Sequence, residues 1–263
     1  MLVTGASGFL GQHLTGTEAS NDWEIYAPSS TSLDVRDRET VDDEIGTWKP
    51  TAVVHLAYRK NDRRTIVTGS ANVARAAAAA GARLVHVSTD VVFGGRERAY
   101  RETDVPAPYD DYGRWKAEAE TIVSELAPTS AIVRTSLLYG TSRLAQIQRD
   151  VDDAVRGRSS MRFFVDEWRC PAHAFDVASA IAAVAGRPDI NGVLHIAGPE
   201  VLSRAELARV FASWLGLDPS SVPTASIAEA STPRAGRIVL DTSRALALGL
   251  RCRSIGEVLD AAE

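Results

Sequence analysis

Cysteine is nearly absent: the chain has two, Cys170 and Cys252, and they form no CxxC pair. That argues against a disulfide framework or a zinc site and fits a reducing compartment, so a cytoplasmic protein is expected. No apolar stretch reaches the ~18 residues that a membrane helix needs. The first residues carry no basic n-region followed by an h-region. There is no long basic block either, and 29 Lys plus Arg against 34 Asp plus Glu give a formal charge of −5. Such a balance is poorly suited to gripping nucleic acid. No metal-ligand cluster and no internal repeat stand out. What is present is ordinary globular material: 263 residues, 45% hydrophobic and 24% charged, with 19 Gly and 11 Pro. This length suits one large domain, or a core domain carrying a smaller lobe.

Short aliphatic runs at 1–4, 24–27, 52–56, 84–88, 131–135 and 193–196 are almost continuously apolar. That is the pattern of strands buried on both faces of a parallel sheet. Helical periodicity covers 38–48, 65–80, 112–126 and 175–185 between them. The alternation predicts βαβ units, hence an α/β protein with a doubly wound parallel sheet, the Rossmann fold. After Gly140 the rhythm weakens. An amphipathic helix near 145–156 precedes 162–165 and an irregular stretch, 166–173. Ser203 with Glu206 and Ser254 with Glu257 spell two capping boxes, each opening a helix, and 238–240 suggests a short strand. The expected organisation is a dinucleotide-binding domain of 1–140 plus about 171–197, and a small C-terminal substrate lobe of about 141–170 plus 198–263.

Gly5-Ala6-Ser7-Gly8-Phe9-Leu10-Gly11 follows the first strand directly and opens a helix. A pyrophosphate needs backbone N–H groups aimed at it and no side chains in the way. Gly5 permits the sharp turn, Gly8 the close approach and Gly11 the packing of helix on strand, although a purely structural turn uses glycines in the same way. Position in the first βα unit favours a dinucleotide. An acid about 20 residues on would hold the ribose 2′-hydroxyl of NAD. Here the second strand runs into Ala27-Pro28-Ser29-Ser30-Thr31, without a carboxylate. Ser29 and Ser30 leave room for a 2′-phosphate, though no arginine stands in that run to pair with it. NADP(H) is favoured over NAD(H) on this balance. Asp34, before Val35, is either an adenine contact or a capping or surface carboxylate.

Tyr112-Gly113-Arg114-Trp115-Lys116 places a phenol and an ammonium at i and i+4 on one helix face. A free tyrosine near pKa 10 parts with its proton reluctantly at neutral pH, and a neighbouring ammonium favours the phenolate. Lys116 can also hold ribose hydroxyls; the bland alternative is a surface helix pair. Upstream, Ser88-Thr89-Asp90-Val91-Val92-Phe93 closes a central strand, where open α/β sheets place their ligands. Thr89, or less favourably Ser88, offers a hydroxyl to a substrate carbonyl, or simple turn chemistry. Asp90 reads as structural.

Together these residues resemble the extended short-chain dehydrogenase/reductases, and within them the dTDP-4-dehydrorhamnose reductase family. The likeness is densest from 1 to 140, in the glycine turn, 32–37, 53–58, Ser88–Phe93 as STDxVF, Tyr112–Lys116 as YGxxK, and 134–140. It implies Thr89, Tyr112 and Lys116 as catalytic residues, with Tyr112 the proton donor. It also implies Leu56, Ala57 and Tyr58 beside the cofactor, with Ser7, Phe9 and Leu10 in the glycine turn. The implied reaction is NAD(P)H-dependent reduction of a ketone on a nucleotide-linked 4-keto-6-deoxy sugar, a homodimer being open. Sugar-nucleotide dehydratases look like TDE at this strand end; Val91 stands in place of the glutamate, which favours a reductase. Departures fall on the substrate side. Ile66 occupies the position of a common asparagine, and Asn72, two turns later, reads as packing. The segment 166–173 is similar to the family's D-Q-F-G-x-P-T, with Arg169 for glycine and Ala172 for threonine. Arg169 and Arg237 are candidate substrate ligands, Arg169 alternatively an ordinary surface ion pair, and His173 an interior histidine. Rival readings are a sugar-nucleotide epimerase or dehydrogenase retaining its NAD, and a non-catalytic dinucleotide-binding subunit resembling the methionine adenosyltransferase regulatory subunit.

Overall fold

In this computed structural model residues 1–16 and 22–262 are described. Positions 17–21 and 263, inside the two expected domains, lie outside them. Five strands form one parallel sheet: β1 (Leu2–Thr4), β2 (Ala52–His55), β3 (Arg83–Thr89), β4 (Ala131–Thr135) and, later in the chain, β9 (Gly192–His195), in that spatial order. Their side chains are buried almost throughout, as strands covered by helices on both faces require. The helices are α1 (Phe9–Thr15), α2 (Arg38–Trp48), α3 (Gly69–Ala79), α4 (Asp111–Leu126) and α6 (Ala174–Ala185). Helix α6, rich in alanine, shares one core with α1 and the sheet; α2 and α3 close the other face. The doubly wound Rossmann architecture expected from the alternation is what the chain adopts.

Four local expectations change. The strand expected at 24–27 shrinks to a single bridge between Tyr26 and Leu2, the Tyr26 N–H donating to the Met1 carbonyl and the Tyr26 carbonyl accepting from Val3 N–H. β1 has three residues to offer, and Pro28 lacks the N–H that would extend the ladder. The helix expected over 65–80 opens as a π-turn, Arg64–Thr68, before α3. There the Ser70 hydroxyl donates to the Ile66 carbonyl at 2.6 Å and competes with regular helix bonding. The stretch 166–173 is not irregular: it holds β7 (Trp168–Arg169), which pairs with β10 (Leu202–Ser203), and β8 (Ala172–His173), which pairs with β5 (Leu138–Tyr139). The strand suggested at 238–240 is reduced to isolated bridges, Trp168 with Arg237 and Tyr100 with Leu240.

Both capping boxes form as the sequence spells them. Ser203 accepts from Glu206 N while Glu206 accepts from Ser203 N, opening α7 (Arg204–Trp214). Ser254 and Glu257 do the same for α9 (Ile255–Leu259), which follows α8 (Ser243–Ala247). With α5 (Gln146–Val155) and Phe163 of the two-residue strand β6 (Phe163–Phe164, paired with β11, Thr224–Ala225), α7 and α9 build a second apolar core around Tyr139, Val151, Phe211 and Val258. Ala245, Leu250 and Cys252, from the stretch assigned to the lobe, instead pack into the sheet's own core.

β1 is where strand order reverses: the chain leaves it toward Tyr26 on one side and returns to β2 on the other. Open α/β sheets bind ligands in the crevice beyond such a point.

Candidate functional site

A cavity of about 470 Å³ opens at that crevice. Gly5, Ser7 and Gly8 of the glycine turn line it, together with Ser29 and Ser30, Asp34 and Val35, and Leu56, Ala57 and Tyr58. Gly5 takes φ +72°, and a Cβ on Gly11 would overlap the Gly5 carbonyl and lie 2.6 Å from Ala6 Cα. Strand, turn and α1 can approach this closely only with hydrogen at those positions. Of the other residues assigned to cofactor, Phe9 and Leu10 turn into the apolar cores. Tyr112 and Lys116 are not among the residues that line it; the Tyr112 ring lies beside Tyr58, while Lys116 reaches the Val87 carbonyl.

Sequence reasoning missed Arg36 and Arg59, which also line the cavity. It sought an arginine only in the run after the second strand, whereas the chain folds back to bring these two from the β1–α2 connection and the end of β2. Arg36 grips Asp34 through Nε at 2.9 Å and Nη2 at 2.7 Å, holding that carboxyl down to about 2. Asp34 is therefore a firm anion at the rim.

Tyr58 is 57% exposed and its ring centre lies 6.0 Å from that of Tyr112. Tyr112 starts α4, whose N-cap Asp110 accepts from Gly113 N at 2.7 Å. A Cβ on Gly113 would overlap the Val91 carbonyl and sit 2.8 Å from Pro108 Cβ, so glycine lets α4 seat against the end of β3. There the Tyr112 phenol comes close enough to the Thr89 side chain for Thr89 to oppose the rise in its pKa. Thr89 also accepts from Val91 N at 3.3 Å and donates to Asp90 at 3.2 Å. Gly113→Ala is expected to push α4 outward and cost about 10²-fold in turnover, since about 1 Å of misplacement can cost that much. Dinucleotide affinity, set at the cavity, should change little; parallel kcat and binding measurements separate the two.

The electrostatics reverse one expectation. The Tyr112 phenol is pushed above its ordinary value, first by burial, then by Tyr58, Asp90 and Asp110, against the Thr89 side chain. Lys116 does not draw it down, because its ammonium is turned to the Val87 carbonyl, Nζ to O 2.7 Å. Tyr112 is thus held protonated, the state a proton donor needs. Lys116, 5% exposed, falls to about 8, chiefly through burial, with Glu120 opposing. Relative to an ordinary 10.5, holding that charge costs about 3 kcal/mol. Below pH 8 folded and unfolded chains both keep the proton and the whole cost is felt. Between about 8 and 10.5 the folded chain releases it first, so stability rises with pH through that window. Lys116→Met, which also leaves the Val87 carbonyl without its donor, is expected to gain about 1–2 kcal/mol at neutral pH. Urea unfolding should show that gain fading toward pH 10.

The remaining assigned residues are committed inside the protein. Ser88 is buried and donates to Glu120, away from the crevice. Arg169 is 3% exposed; it meets Glu167 at 3.2 Å and Asp90 at 3.7 Å and donates to the Trp168 and Ala235 carbonyls. It does make an ion pair, but a buried one. Arg237 is half-buried and donates to the Glu97 carbonyl. His173 is interior, between Asp176 and Arg253, and Asn72 donates to the Val35 carbonyl. Asp90, buried, accepts from Ser136.

A glycine turn at the reversal of a parallel sheet, with a tyrosine and a lysine one helical turn apart beside it, defines a Rossmann protein of the extended short-chain dehydrogenase/reductase type. Residues 1–259 match the family described as the RmlD substrate binding domain, and the chain belongs to that family. It is 34% identical, over 89% of its length and 81% of the relative's, to a dTDP-4-dehydrorhamnose reductase of Mycobacterium tuberculosis. It is also 30% identical, over 97% of its length and 84% of the relative's, to the methionine adenosyltransferase 2 subunit beta of Pongo abelii. Among solved structures, a dTDP-4-dehydrorhamnose reductase from Bacillus anthracis in complex with NADP superposes with a TM-score of 0.86 at 27% identity, covering 99% of this chain and 95% of that one.

Proposed function

We propose that the chain binds NADP(H) and reduces a ketone on a nucleotide-linked 4-keto-6-deoxy sugar. The observation that carries this reading is Tyr112, kept protonated at the end of β3 near Thr89, its ring beside that of the exposed, cavity-lining Tyr58. A dinucleotide fits the residues present. The cavity is lined from the glycine turn to Tyr58, and a Cβ on Gly5 would collide with the Leu56–Ala57 backbone, 2.7 Å from Ala57 N, so the turn can lie against β2 only as glycine. Gly5, Ser7 and Gly8 would hold the pyrophosphate, Asp34 and Val35 the adenine end, and Ala57 and Tyr58 the nicotinamide half. Ser29 and Ser30, with Arg36 and Arg59 on the same cavity, suit a 2′-phosphate better than a bare ribose. When bound, the cofactor supplies hydride to the carbonyl carbon.

The chain's residues handle the oxygen. Thr89 and Tyr112 hydrogen-bond it, which stabilises the charge that develops there, and Tyr112 delivers the proton that completes the alcohol. Lys116 fixes the end of β3 through the Val87 carbonyl. The second apolar core, around Tyr139 and Phe211, would carry the sugar nucleotide against this face, the substrate lobe being the parts of 141–170 and 198–263 that pack around that core.

Purified protein, a dTDP-4-keto-6-deoxy sugar, and NADPH or NADH in parallel make the test. Oxidation of NADPH faster than of NADH is expected. A second reading has its own support: the likeness to the adenosyltransferase beta subunit, and the internal engagement of Ser88 and Arg169. Tight NADP(H) binding without oxidation across a panel of keto-sugar nucleotides would select that non-catalytic role.

A further inference from the structure

Tyr112, Lys116 and Glu120 follow one another at intervals of four on α4, so their side chains stack along one helix face. Each meets one of three successive residues at the end of β3. Tyr112 lies by the Thr89 side chain, Lys116 bonds the Val87 carbonyl, and Glu120 accepts from the Ser88 hydroxyl. The Glu120 carboxylate is also gripped from β4 by Arg134, through Nε at 3.0 Å and Nη2 at 2.6 Å. Ser88, Lys116, Glu120 and Arg134 are all buried. The groups facing Lys116 from the sheet are His55 on β2 and His86 on β3. Burial and the lysine itself drive both imidazoles neutral, His55 down to about 3, so neither brings an anion. The negative charge acting on the lysine comes from Glu120.

We propose that Glu120 is a positioning residue of the reductase site: tied to Ser88 and Arg134, it locks α4 onto the end of β3 and sets a carboxylate one helical turn from the Lys116 ammonium, behind Tyr112. This deepens the reductase reading and rests on it for its catalytic meaning. Packing alone would need a side chain of this shape; the proposal needs its charge.

Lys49, Lys60 and Lys116 are the chain's three lysines, so ¹³Cε-lysine labelling gives an NMR spectrum simple enough to titrate each one in the intact protein. In Glu120→Gln, the Lys116 midpoint is expected to fall from about 8 by roughly one pH unit, the size of effect a close opposite charge exerts. Lys49 and Lys60 stay where they are. Glu120→Asp keeps the charge but withdraws it by a methylene, so its midpoint falls by less; it decides the matter if the glutamine variant does not fold. On an accepted ketone, the alkaline limb of kcat should move down with the lysine, while KM for the dinucleotide is nearly unchanged. A Lys116 midpoint unmoved in the folded variants overturns the proposal. Absence of turnover in the native protein, with the lysine still shifting, overturns the reductase reading instead and leaves the electrostatic link standing.

Discussion

Tyr112→Phe is expected to lower turnover of an accepted ketone by about 10³-fold while leaving dinucleotide affinity nearly unchanged. Burial and the carboxylates of Asp90 and Asp110 keep the phenol protonated throughout the neutral range. An alkoxide forming beside it is a far stronger base, so transfer runs downhill once hydride has moved. Removing the hydroxyl leaves water as the donor at a half-buried spot beside Thr89. The ring itself stays, preserving the packing against Tyr58, and for that reason cofactor binding should survive. Steady-state kcat with NADPH, together with a fluorescence titration of the cofactor, separates the two effects. In the native protein, turnover should also decline above about pH 8, as Lys116 gives up its proton and its hold on the Val87 carbonyl, which fixes the end of β3, weakens. Near-full activity in the phenylalanine variant would rule out Tyr112 as the donor.

What could be read ahead of the coordinates was what local chemistry dictates. The glycine turn needs a strand before it and a helix after it, and β1 and α1 provide them. The span of α2, 38–48, follows from its own periodicity, and the two Ser–Glu capping boxes form from residues three apart. Tyr112 and Lys116 share a helix face by spacing alone. The missed features depend on partners far away in sequence. Arg169 read equally as a ligand contact or a surface ion pair, but Asp90, distant in sequence, and nearby Glu167 hold it inside. Ser88 adjoins Thr89, yet alternation along β3 sends it to the helix side, where Glu120 waits 32 residues on. Arg36 and Arg59 reach the cavity only once the chain has reversed at β1. The π-turn at 64–68 depends on a single serine hydroxyl, which periodicity cannot register.

Arg134→Met is expected to be the most destabilising of these substitutions, by about 3–5 kcal/mol. Arg134 is buried on β4, bonded twice to Glu120, with its guanidinium carbon 5.0 Å from the centre of the Phe93 ring. Methionine fills much of the same volume against Phe93, so the loss is electrostatic rather than a cavity. It strands the Glu120 carboxylate in a buried layer with the Ser88 hydroxyl and the Lys116 ammonium as its remaining support. Adding Glu120→Gln removes the stranded charge, and the double variant should regain more than half of the loss, because a buried pair costs most when only one member is deleted. Thermal melts would show the single variant roughly 10 °C below the native chain. If both variants melt alike, the Arg134–Glu120 pair carries no coupling, and the β4 end of the tie between α4 and the sheet would have to be assigned to packing of the apolar residues around it.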